Sequence, residues 1–84
     1  MSNRLFFRFS NHNTKITLPD RIRTCLAKFR EKFKIIPAAI YLNGVHENEI
    51  GASFVDIPVK YKSTLNLNEL DFEFPDGFVP SQSI

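Results

Sequence analysis

Leu18-Pro19-Asp20-Arg21-Ile22-Arg23-Thr24-Cys25-Leu26-Ala27-Lys28-Phe29-Arg30-Glu31-Lys32-Phe33-Lys34 is the stretch whose reading decides the fold. Leu18, Ile22, Cys25, Leu26, Phe29 and Phe33 recur at spacings of three and four, so they share one face of an α-helix with a period near 3.6. The other face is cationic, with Arg21, Arg23, Lys28, Arg30, Lys32 and Lys34. Thr17 can cap the first turn through its hydroxyl, and Pro19 falls where a missing amide hydrogen costs nothing. Lys32 and Lys34 suit the negative end of the helix dipole, and Pro37 forbids continuation beyond Ile35 or Ile36. Burying the large apolar residues of this face contributes about 1.5 to 3 kcal/mol for each side chain, so the stripe is explained by a core.

The segments around the helix read as short strands. Arg4 to Phe9 places Leu5, Phe7 and Phe9 on one face and Phe6 and Arg8 on the other, and Phe6 makes both faces apolar, which suggests a central strand. Ser10-Asn11-His12-Asn13 is a cluster of turn formers before Lys15-Ile16-Thr17-Leu18, so residues 4–18 are expected to form a β-hairpin that feeds the helix. After the helix, Ala38 to Leu42 reads as a strand and Asn43-Gly44 as a tight type I′ turn, because both central positions must tolerate positive φ. Pro58 interrupts Phe54 to Tyr61 and demotes it to an edge strand or a packed loop. Thr64 to Asn68 alternates as a strand, and the phase slips by one before Leu70, Phe72 and Phe74, which implies a bulge or break near Asn68-Glu69.

This order predicts a small α+β domain with a ββαββ arrangement, one amphipathic helix on a mixed sheet. It resembles the β-grasp fold of ubiquitin-like proteins. Phe6-Phe7-Arg8-Phe9 through Ile16-Thr17-Leu18 is similar to the opening hairpin, Ile40-Tyr41-Leu42-Asn43-Gly44 to the third strand and turn, and Lys62 to Leu67 to the last strand. The resemblance implies a compact scaffold and no conjugation chemistry: Pro80-Ser81-Gln82-Ser83-Ile84 stands where a modifier or sulfur carrier has Gly-Gly. The surface by which ubiquitin is read would fall near Tyr41, Asn66 and Asn68, two of which are polar amides. Fold alone assigns no function.

At 84 residues the chain is expected to be one domain, with residues 4–74 as the ordered core and 75–84 as a flexible tail. A core this small is close to the size that benefits from a partner. Nine phenylalanines supply much of its bulk. No apolar run approaches the roughly 20 residues of a membrane span, and Met1-Ser2-Asn3 leads into no signal-like segment, so a cytoplasmic protein is expected. Cys25 is the only cysteine, which excludes an intramolecular disulfide and a thiolate metal cluster, and its place on the apolar face suits a buried thiol.

Catalytic patterns are missing. His46-Glu47-Asn48-Glu49 offers metal ligands without the two-histidine helical spacing of a zinc enzyme, His12 belongs to a turn, and Asp71 and Glu73 share a strand face typical of a solvated side. There is no Gly-rich phosphate loop. The sequence therefore reads as a non-enzyme with no metal and no cofactor.

Charge points to association. Residues 1–36 carry nine Lys/Arg against two acids, and residues 37–84 carry two Lys against seven acids. Two halves of opposite sign suit a protein partner or a second copy, and Leu70, Asp71, Phe72, Glu73 and Phe74 extend as an apolar, acidic strand that could pair across a sheet edge. The expected function is a non-catalytic protein-protein interaction module, an adaptor or regulatory accessory protein that can self-associate. The alternative is nucleic-acid binding through Arg21, Arg23, Lys28, Arg30, Lys32 and Lys34, which could neutralise several phosphates.

Overall fold

The computed structural model describes residues 5–10 and 15–78. The elements run β1 (Phe6–Ser10), α1 (Leu18–Phe33), β2 (Ala39–Leu42), a 3-10 turn (Gly44–His46), α2 (Glu47–Ile50), β3 (Ser53–Phe54), β4 (Ile57–Tyr61) and β5 (Glu69–Glu73). Five strands form one mixed sheet in the order β1-β5-β2-β4-β3. The β1/β5, β5/β2 and β4/β3 pairs are antiparallel, and β2/β4 is parallel. The domain is thus α+β, with one main helix and a second of a single turn.

The helix forms as its sequence dictates. The Asp20 amide donates to Thr17 Oγ1 at 3.3 Å, and all six residues of the apolar stripe are buried. Its end comes earlier than Pro37 requires. Lys34 adopts a left-handed conformation, with φ 62° and ψ 28°, and its amide donates to the Arg30 carbonyl at 2.8 Å. Against this stripe pack Ile40, Leu42, Ile57, Val59, Leu70, Phe72 and Phe74 from one face of the sheet. Phe29 and Phe33 hold the centre through edge-on and tilted contacts with Phe7, Phe72 and Phe74.

Five expectations about the sheet are corrected. The opening hairpin does not form among the described residues, because Lys15 and Ile16 lie in a turn and bend and Thr17 is the helix cap. β1 pairs instead with β5, where Phe7 faces Phe72, Phe9 faces Leu70 and Arg8 faces Asp71. That register offers apolar partners on the helix side and an ion pair on the other, which Lys15-Ile16-Thr17 could not supply. β1 is consequently an edge strand and not a central one.

Asn43-Gly44 makes no hairpin either. The Asn43 side chain accepts from the Val45 amide at 2.9 Å and donates to the Leu65 carbonyl at 2.6 Å, so it starts the 3-10 turn and anchors a distant loop. The two-residue hairpin turn falls at Val55-Asp56, with φ of 51° and 64°. Pro58 belongs to β4, which lies between β2 and β3. Its missing amide is tolerated because the β2–β4 ladder starts one residue later, at Ile40 opposite Val59. Thr64 to Asn68 is a loop whose Leu65 buries against Ala39 and Tyr41 on the sheet's second face. The break expected near Asn68-Glu69 is the entry to β5, closed by the Glu69 amide on the Asn66 carbonyl at 3.1 Å. The opening hairpin, the tight turn after the third strand and the last strand at Lys62 to Leu67, on which the β-grasp resemblance rests, are therefore missing from the described residues.

Of the expected tail, Pro75 to Phe78 is described: Phe78 stacks on Phe74 with ring centroids 5.3 Å apart. Residues 79–84, and the Asn11 to Asn13 part of the expected turn with His12, lie outside the described residues.

Candidate functional site

The strand expected to meet a partner is enclosed. β5 lies between β1 and β2, so its backbone has a neighbour on both sides. Leu70 is 1%, Phe72 0% and Phe74 5% exposed, all within the helix-side core. Asp71 is buried on the opposite face, where Arg8 Nε donates to Oδ1 at 2.9 Å and Arg8 Nη2 to Oδ2 at 3.2 Å. This two-pronged contact with Asp71 is the main cause that raises the Arg8 pKa above its ordinary value. Glu73 accepts from the Tyr41 hydroxyl at 2.8 Å. The set 70–74 thus holds the sheet together, and the free edge lies one strand away.

That edge is β1. Among the described residues no strand pairs with its outer side. The Phe74 amide donates to the Leu5 carbonyl at 2.9 Å, so by antiparallel alternation Leu5, Phe7 and Phe9 turn their backbone groups toward β5. Phe6, Arg8 and Ser10 turn theirs outward. The side chains above this row are partly uncovered, Leu5 at 44% and Phe6 at 36%. Phe6 meets Tyr41 edge-on at 5.1 Å between centroids, and the Lys62 ammonium sits 4.2 Å from the Phe6 centroid and 4.5 Å from that of Tyr41.

The opposite edge of the sheet is of another kind. β3 has only two residues and ends in the Val55-Asp56 turn. A two-residue edge of this sort is a poor template for pairing, whereas a five-residue edge carrying three phenylalanines is a better one.

The basic helix face divides into engaged and open cations. Arg21 is half-buried. Arg23 pairs with Asp20 at 3.0 Å and lies over the Phe54 ring at 5.4 Å, and Lys32 lies near the Phe7 and Phe33 rings at 5.9 and 5.8 Å. Lys28, Arg30 and Lys34 are exposed and enter no ion pair among the described residues. Arg30 and Lys34 border a shallow groove floored by Ala27, Ile35, Ile36 and Pro75.

His46 Nε2 lies 3.3 Å from the Leu67 carbonyl oxygen, tying the 3-10 turn to the loop before β5. Among the described residues no three His, Cys, Asp or Glu side chains come together as metal ligands. Cys25 is buried on the helix's apolar face. No described helix is long and apolar enough to cross a membrane.

Comparison of the chain with protein-family models, curated proteins and solved structures finds no match.

The open edge was missed by sequence reasoning because Phe6 gave β1 two apolar faces, the mark of a central strand. The only signal that could have found it was the weakness of Lys15-Ile16-Thr17 as a partner, which leaves a phenylalanine-rich strand with one neighbour at most.

Proposed function

We propose that this chain is a non-catalytic protein-protein interaction module that receives its partner on the free edge of β1. The supporting observation is the row of outward backbone groups on Phe6, Arg8 and Ser10 beside the partly exposed Leu5 and Phe6. Strand addition to such an edge draws affinity from main-chain hydrogen bonds and selectivity from the side chains on each face. No catalytic or cofactor role enters this reading.

Nucleic-acid binding on the helix is the second reading, favoured by the open cations Lys28, Arg30 and Lys34. Three phosphate contacts give a slope of only about −2.7 in log affinity against log salt, which corresponds to weak, unspecific binding. Solution mass and photo-crosslinking separate the readings. A photo-reactive residue in place of Leu5 is expected to capture protein, the same chain or another, and Phe6→Pro is expected to weaken that capture by removing an outward amide while leaving the β5 ladder intact. Capture of nucleic acid by the same group at Lys28, with no protein capture at Leu5 that Phe6→Pro weakens, would overturn the proposal.

A further inference from the structure

We infer that the occupant of the β1 edge is a second copy of this chain, paired antiparallel through β1 about a two-fold axis at Phe7. The inference rests on the reading of β1 as the docking edge and adds the partner and the register. Among the described residues of β1, outward backbone groups occur at Phe6, Arg8 and Ser10, so a self-pairing ladder must set these residues opposite one another. Two compact registers satisfy this. One is centred on Arg8 and the other on Phe7.

Side-chain chemistry decides between them. Centring on Arg8 places two guanidinium groups directly opposite, a destabilising like-charge pair. Centring on Phe7 places Phe6 opposite Arg8 of the other copy twice over, on the face where Phe6 already receives the Lys62 cation. On the helix face it places Leu5 opposite Phe9 and Phe7 opposite Phe7, which joins the half-buried rings of the two cores. Every opposed pair from Leu5 to Phe9 is then cation with aromatic or apolar with apolar. The two Phe6/Arg8 pairs supply four main-chain hydrogen bonds, and the result is one continuous ten-stranded sheet with isologous symmetry.

The Asp71 and Glu69 carboxylates are well placed for this contact. Asp71 grips the Arg8 guanidinium edge-on at 2.9 Å, and Glu69 lies 3.9 Å from its Nη1, so the cation reaches the interface already oriented. The Phe6 ring of the other copy can cover its flat side.

Sedimentation of the purified chain from micromolar to millimolar concentration, with disulfide trapping, tests the inference. Twice the mass of 9.7 kDa is expected at the upper end, unchanged by nuclease treatment. Phe6→Pro removes two outward amides from each dimer and is expected to weaken association about ten- to thirtyfold, with the circular dichroism of the monomer retained. Leu5→Cys and Phe9→Cys chains, mixed under mild oxidation, are expected to form the mixed disulfide, since these positions oppose each other at the closer, non-hydrogen-bonded spacing. A preference for mixed disulfides between Phe7→Cys and Phe9→Cys chains would overturn the Phe7-centred register. A dimer indifferent to Phe6→Pro would overturn the β1 contact. A monomer throughout the range, with capture of a different protein at position 5 that Phe6→Pro weakens, would overturn self-pairing and leave the docking edge standing. A monomer with no such capture would overturn both.

Discussion

β1 and β5 lie side by side in register, each sending alternate apolar side chains toward the helix. β5 has neighbours on both sides and buries Leu70, Asp71 and Phe72, whereas β1 has one neighbour and leaves Phe6 partly uncovered. Similar alternation therefore sits in two different surroundings. The strand inside the sheet is enclosed by the fold, and the strand at its margin is the one proposed to bind.

Substitutions can break this contrast or sharpen it. Phe72→Ala removes a ring with no exposed surface that touches Phe9 and Phe29, and is expected to cost about 3 to 5 kcal/mol in denaturant unfolding, a large share of a domain this size. Arg8→Ala comes next. It deprives the buried Asp71 carboxylate of its bidentate partner, so the melting temperature falls further than with Phe6→Ala, and adding Asp71→Asn recovers part of the loss. Such a recovery would show β1 bound to β5 by charge on one face and by rings on the other.

Outside the two strands, Val55→Asn with Asp56→Gly replaces residues held at positive φ by the pair suited to that turn, with an expected gain of about 1 kcal/mol by chemical denaturation. Phe6→Ala is expected to cost the isolated monomer less than about 1 kcal/mol while weakening self-association, the clearest separation of the two strands' roles. The smallest effect is a pH control on β4. Burial raises the Tyr61 pKa above 10.0, and the negative charge of Glu47 adds to the shift. The folded state thus favours the protonated phenol, and its contribution, complete below pH 10, is lost as pH climbs through the raised value. Tyr61→Phe is expected to flatten that alkaline limb in a stability-against-pH series.

The helix and its cap were legible because their determinants are local: Thr17 bonds Asp20 three residues away, and the stripe from Leu18 to Phe33 repeats within one element. Alternation also showed that Leu70, Phe72 and Phe74 share a face. It could not show which strands lie beside them, because pairing is settled by contacts such as Arg8 with Asp71, 63 residues apart. Asn43-Gly44 misled for another reason. The Asn43 side chain found backbone partners at Val45 and Leu65, and those bonds outweighed the preference of the dipeptide for a hairpin. At the candidate site, the exposure of Lys28, Arg30 and Lys34 followed from helical periodicity, while the open edge depended on strand order.

The bond from the Phe74 amide to the Leu5 carbonyl has a consequence for how the molecule is made. During synthesis β1 is made before the helix and the other described strands and its mate after them, so a sticky strand must wait unpaired until the rest of the sheet exists. Joining the chain near Phe78 to Leu5 and opening it in the loop between β1 and the helix would turn the slowest long-range closure into a neighbouring hairpin. Such a circular permutant should fold faster than its parent at similar stability.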